Sequence, residues 1–235
     1  MATRYWFKWN GTRSDAQNII LNAAPQIVKP EERVQHVTIP GRSGDLTVTE
    51  GAQVWNSYIQ TIGIAVHGAA NVPAAENWLK GAGTVTFSSQ PGLEQAARVI
   101  GAVTLEKHSR GLDWWEGDVQ FYCDPIKRDV TETQITVTTS GTSISNPGDM
   151  VALPLIKITG SGAITIICGG KTLAIPDCTS GWVIDSENEW ILNGSGVPQM
   201  NVCTGDFPVL NVGNNAITYT GSVTKLEITP RFRYL

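Results

Sequence analysis

The residues of this chain with types suited to chemistry are four cysteines, three histidines and two groups of carboxylates flanked by tryptophan. Cys123, Cys168, Cys178 and Cys203 form no C-x-x-C pair, and His36, His67 and His108 lie beside none of them. Zinc sites take closely spaced ligand pairs, so the spacing argues against a metal, and nothing else in the chain calls for a cofactor. The cysteines read as reduced, small core residues, consistent with assembly in a cytoplasm. Cys123 stands beside Asp124-Pro125 at the end of "VQFYCDP". A neighbouring carboxylate disfavours the thiolate, the reverse of nucleophile activation.

Asp113, Glu116 and Asp118 surround Trp114-Trp115, and Asp185, Glu187 and Glu189 lie between Trp182 and Trp190. Paired carboxylates are the equipment of glycoside hydrolysis, and aromatics beside acids can form sugar platforms. Yet Asp185-x-Glu187-x-Glu189 alternates in a Ser- and Asn-rich run, which suits a solvated face or a hairpin turn. Asp113 and Glu116 read as a loop between strands. Trp114 and Trp115 have two readings. On an exposed loop they would anchor a subunit or partner contact; in the core they would be packing residues. G-x-S-x-G, H-E-x-x-H and G-x-G-x-x-G are all absent. Gly170-Lys171-Thr172 looks like the tail of a phosphate-binding loop, but Thr165 occupies the position that motif reserves for glycine. Alternating strands on both sides make Gly169-Gly170 a hairpin turn instead. No enzymatic activity is expected.

The elements that would position these residues are mostly strands. "HVTIPGRSGDLTVTEG" holds two alternating runs around turn residues; "GTVTFSS", "RVIGAVTLEKHS" and "GDVQFYC" are further strands bounded by Gly or Pro. "NVPAAENWLKG" predicts one short helix, with Asn71 as cap, Pro73 in the first turn and Gly81 beyond the end. Ala74, Trp78, Ala75 and Leu79 are its packing residues. "TETQITVTTSGTSISNPGD" has almost no large side chains and reads as a connector running into an edge strand. The strands after it recur at the short spacing of a β-sandwich or barrel.

Composition narrows the function classes. Charged residues make up 16% of the chain, against about 25% in typical domains; a chain with so few charges must hide much of its surface or rely on Ser, Thr and Asn. The net charge is −4, and the 17 basic residues form no block, so no phosphate-gripping patch and no specific nucleic-acid binding are expected. "MATRYWFKWN" lacks the apolar stretch of a secretory signal. No apolar run reaches the roughly 20 residues of a membrane helix, so no membrane insertion is expected. The sequons at Asn10 and Asn193 read as turns.

Five stretches, in order, carry a resemblance to the distal tail protein family of long-tailed, non-contractile bacteriophages and prophages. They are the Pro-Gly-Arg turn of "VTIPGRSGDLTVTEG", the short helix and strand of "ENWLKGAGTVTFSSQPG", the Phe-x-Cys-x-Pro of "VQFYCDPIKRDV", the opening of "NPGDMVALPLIKITGSGAITI", and the Gly-x-Phe-Pro-x-Leu and terminal Pro-Arg of "CTGDFPVLNVGNNAITYTGSVTKLEITPRFRYL". The resemblance implies a mainly β chain in two parts. An N-terminal β-sandwich-type domain with one short helix, residues 1–135, forms a ring; a galectin-like β-sandwich, residues 136–235, projects from it. Cys123 would end the last strand of the first domain, with Asp124-Pro125 turning the chain out. The implied function is a homohexameric hub at the tail tip or baseplate of a virion, assembled in the bacterial cytoplasm. It joins the tail tube protein to a tail-associated tip protein, and in some cases to a receptor-binding protein, and lets DNA pass through its channel. The alternative is a carbohydrate-binding β-sandwich, with Trp182 or Trp190 stacking on host cell-wall polysaccharide.

Overall fold

The computed structural model describes residues 5–49, 51, 53–179 and 181–235. Glu50, within the Pro-Gly-Arg stretch, and residues 1–4, within the segment tested for a secretory signal, lie outside the described residues. The chain divides into two compact units, the first ending at Val130 and the second spanning Thr131–Tyr234. Each has its own buried core. Strands dominate both, and every pairing is antiparallel.

The first unit contains β1 (Phe7–Trp9), β2 (Thr12–Arg13), β3 (Ile19–Leu21), β4 (Val34–Val37), β5 (Leu46–Thr49), β6 (Tyr58–His67), α1 (Val72–Trp78), β7 (Ala82–Phe87), β8 (Leu93–Ile100), β9 (Glu106–Lys107) and β10 (Trp114–Asp129). One sheet runs β2-β1-β7-β8-β10-β6-β3, with β9 added to β10. Asn10 and Gly11 turn β1 into β2, both at positive φ (48° and 78°) as a two-residue hairpin demands. Side chains alternate along β10, so Val119, Phe121 and Cys123 enter the core opposite Ile62, Gln60 and Tyr58 of β6. Phe121 sits among Phe7, Trp9 and Phe87, with ring centroids 5.3, 5.4 and 6.0 Å away. Such aromatic groupings add to the benefit of area burial.

Helix α1 lies where the sequence predicts it, with Pro in its first turn. Ala75 and Leu79 are buried and Trp78 stacks on Phe7 at 5.6 Å. Ala74 is exposed, contrary to expectation. A two-turn helix presents one narrow stripe to the sheet, and Ala75, Trp78 and Leu79, at i, i+3 and i+4, fill it.

The run "VQFYCDP" differs from its reading as a strand that stops at Cys123. Strand β10 continues through Asp124-Pro125 to Asp129 and pairs with β8 again at Lys127–Asp129. Its register shifts between Cys123 and Lys127, and its pairing with β6 ends at Cys123. Proline lacks the N–H of a ladder bond, and a bulge is where a strand can absorb that loss. The last strand of the first unit therefore carries the chain to the boundary.

The second unit contains β11 (Ile135–Val137), β12 (Thr142–Asn146), β13 (Leu155–Cys168), β14 (Lys171–Cys178), β15 (Trp182–Asp185), β16 (Trp190–Leu192), β17 (Thr204–Gly205) and β18 (Gly213–Thr229). The segment read as a connector supplies two edge strands, β11 and β12, both paired with β18. Val137 and Ile144 from them are core residues. Strands β13 and β18 pair along most of their length, with register shifts around Gly160–Thr165. On its other side, β13 pairs with β15 before that point and with β14 mainly after it. Likewise β18 takes β12 along its first half and β11 along its second. The long strands thus belong to two layers, and inward residues of both, Ile156 and Ile158 with Ile164 and Ile166, share one core. This is a β-sandwich made by folding one sheet over. The fold line needs Gly221, whose φ is +91° and where a Cβ would sit 2.2 Å from the Ala163 carbonyl oxygen. Gly169 and Gly170 form the β13–β14 hairpin turn, as the sequence predicts.

Candidate interaction surfaces

Trp114 and Trp115 lie at the start of strand β10 rather than on a loop, and their adjacency sends them to opposite faces. Trp115 packs against the first core. Its indole N–H donates to Asp113 Oδ1 at 3.2 Å. Trp114 pairs with His67 of β6, ring centroids 4.9 Å apart, on the outer face. Asp113 also accepts the Ala69 backbone N–H at 3.2 Å, which ties the helix approach to β10. Glu116 faces His108 Nδ1 at 3.0 Å, and both are well exposed. The three acids around the tryptophans are therefore divided: Asp113 and Glu116 are engaged, and Asp118 sits exposed opposite Gly63.

In the second unit, the acids between Trp182 and Trp190 are also divided. Asp185 is buried, not on a solvated face. Its carboxylate accepts from the Glu187 and Asn188 backbone N–H groups, from Asn188 Nδ2, and from Arg231 Nη1 at 2.7 Å and Nη2 at 3.2 Å. Burial alone would raise this carboxyl; the hydrogen bonds from Arg231 and Asn188 outweigh it and hold the pKa at about 2. Glu187 joins the same cluster, 3.4 Å from Arg231 Nη1. The group fastens the segment after β18 to the β15–β16 hairpin. Trp182 is 3% exposed and donates its N–H to Thr179 Oγ1, so its ring is closed to a sugar. Trp190 is half-buried on β16.

The cysteines take the places expected of core residues. Cys123, Cys168 and Cys178 are buried, and burial pushes the thiols of Cys123 and Cys168 up to about 12 and that of Cys178 to about 11. Asp124 adds to the rise at Cys123. Burial thus favours the protonated thiols at neutral pH, the reverse of nucleophile activation. Cys203 is half-buried. Among the described residues, no group of three or more His, Cys, Asp or Glu converges on a common point, and no helix is long and apolar enough to cross a membrane.

The two alternating runs read in "HVTIPGRSGDLTVTEG" are strands β4 and β5. Strands β4 and β5 form a separate two-stranded sheet that pairs with no other strand among the described residues. Val37 pairs with Leu46, and Gln35 with Val48, on one face. Val37, Leu46, Val48 and the adjoining Ile39 are each 38–44% exposed. A lone hairpin is marginal in water, and an apolar face on it marks a surface suited to a partner.

No protein-family model matches the sequence, and no curated protein matches it. Among solved structures, the crystal structure of SPP1 Dit is similar over 99% of this chain and 100% of that chain, with a TM-score of 0.76 and 19% sequence identity. That protein is described as a paradigm of hub adsorption apparatus in Gram-positive infecting phages. The likeness, at that identity, is one of fold, and it extends from one end of the chain to the other.

Proposed function

We propose that this chain is a structural hub of a phage or prophage tail tip. It forms a homohexameric ring that joins the tail tube to the tip and receptor-binding apparatus, and DNA passes through the ring. The observation that carries this reading is the end-to-end fold likeness to SPP1 Dit, with neither chain exceeding the other by a domain. The five ordered sequence stretches support it independently of the fold.

The N-terminal unit makes the ring and the C-terminal sandwich is a docking module. The exposed β4–β5 arm supports that division, because its apolar face suits a neighbouring subunit. A ring contact joins two different surfaces and closes by rotation; an arm reaching one neighbour while the same site on its own body receives the other arm has that property. The slightly acidic chain, with no basic stripe, suits a channel that releases DNA rather than gripping it. The particle location and the tube and tip partners follow from the same reading. The reading assigns no catalytic role: Asp185 is tied to Arg231, and Cys123, Cys168 and Cys178 are buried.

Light scattering over a concentration series tests the proposal. A mass six times that of the chain, alone or in equilibrium with monomer, is the expected outcome. A strict monomer at high concentration that also fails to form rings when mixed with tail tube protein would overturn it.

A further inference from the structure

The outer face of the first unit ends in a cleft of about 290 Å³ between the turn before β3 and the β6–β10 pair. Trp114 and His67 form one wall, and Asp15, Asn18 and Asn71 supply the polar edge. The fold places these groups firmly. Asn18 closes a 3-10 turn in the left-handed conformation, φ 58°, with its backbone N–H bonded back to Asp15 O. Asn71 Nδ2 donates to His67 O at 2.8 Å, leaving its side-chain oxygen for other partners. Arg13 grips both oxygens of Asp15, at 2.7 and 3.1 Å, and these hydrogen bonds lower its pKa, so it is a charged acceptor at neutral pH.

Three features point to the class of ligand. The cleft offers an aromatic ring with planar amide, imidazole and carboxylate groups around it, the mixture of one apolar platform and a few convergent polar groups that small-molecule sites use. No hydrogen bond engages the side chains of Asn18, His67 or Trp114 among the described residues. Among the described residues no lysine or arginine lines the cleft, and Arg13, which holds the Asp15 carboxylate at its edge, also lies 4.7 Å over Trp6. A phosphate or carboxylate would find no uncommitted lysine or arginine there among the described residues.

We propose that this cleft binds a neutral saccharide, one sugar ring laying its C–H face on Trp114 while its hydroxyls engage Asn18, Asn71 and Asp15. The site is in the N-terminal unit, apart from the C-terminal tryptophans considered from sequence. It does not depend on the hub reading.

The test is calorimetric titration of the whole chain with oligosaccharides built on glucose, N-acetylglucosamine, galactose and rhamnose. One saturable site per chain is expected for at least one of them. Trp114→Ala should weaken it roughly tenfold or more. Asn18→Gly keeps the left-handed turn while deleting the amide, and should weaken binding a few-fold with the fold intact. Trp190→Phe should leave it unchanged. No saturable heat with any of the four, or binding that survives Trp114→Ala, overturns the proposal. So does a third result, in which Trp114→Ala and Asn18→Gly lower the oligomer mass and no saccharide binds; the cleft is then a subunit contact, and the hub reading stands.

Discussion

The two units bury comparable cores with different side chains. In the first, Phe7, Trp9, Phe87 and Phe121 meet ring to ring, and a short helix lays Trp78 on them. In the second, ten of eighteen buried core residues are isoleucine, and Trp182 is the one large ring. β-Branched chains suit a sandwich whose two pleated inner faces interlock at close range. In the first unit the rings fill the space between the sheet and α1, where Trp78 stacks on Phe7. The periphery differs in the same sense. The second unit fastens its final segment with Arg231 on Asp185, while the first leaves the β4–β5 arm unpaired. The first unit thus shows several of its exposed apolar side chains on a separate hairpin, whereas those of the second, such as Ile167 and Val212, lie on or beside strands of its main sheet.

The comparison can be broken first at Phe121. Phe121→Ala removes the ring that three other aromatics touch and should cost about 3–5 kcal/mol. Hydrogen exchange read residue by residue should lose protection in β1, β6, β8 and β10 while the second core keeps it. Uniform loss across both units would show that the cores are not separate stabilising units.

The Asp185–Arg231 clasp comes next. Its carboxyl moves from an ordinary 3.8 to about 2, worth roughly 2 kcal/mol. The folded pKa lies below the unfolded one, so the unfolded chain binds the proton first. The contribution is present above the unfolded pKa, near pH 4, and is lost as pH falls from there through about 2. Urea midpoints across that window should fall in the wild type and much less in Asp185→Asn, which is already destabilised at pH 7 because it leaves Arg231 with its strongest partner removed. Parallel curves would assign the acid response elsewhere.

Smaller effects separate packing from association. Ile166→Val in the second core should cost about 1 kcal/mol, read as a shifted denaturation midpoint at constant slope. Leu46→Ser with Val48→Ser on the arm should change monomer stability by no more than about 0.5 kcal/mol yet lower the solution mass at a given concentration. Unchanged mass would remove the arm from the subunit contact. Last, iodoacetamide should label Cys203 before the other cysteines in the native chain, because it alone is partly accessible.

The cleft at Trp114 shows how a site can be half visible. Trp114 stands out in the sequence, but His67, Asn18 and Asn71 lie on other elements, and no spacing links them. Trp114 and Trp115 looked alike as neighbours in a row; the strand sends one to the outer face and one toward the core.

Local chemistry determined what could be read directly. Asn10-Gly11 and Gly169-Gly170 are turns because they supply two consecutive positive φ angles. Helix α1 follows from its proline and the spacing of Ala75, Trp78 and Leu79, and Cys123 is buried because the alternation of "VQFYC" puts it inward. Each depends on residues within a few positions of one another. The tertiary structure decided the rest. Strand β10 passes Pro125 because β8 resumes pairing beyond the bulge. Asp185 is interior because Arg231, 46 residues away, reaches it. The second sheet folds over at Gly221 because β13 approaches it too closely for a side chain. These outcomes rest on pairings across long stretches of chain, and a residue's own neighbours carry no record of which distant strand will lie beside it.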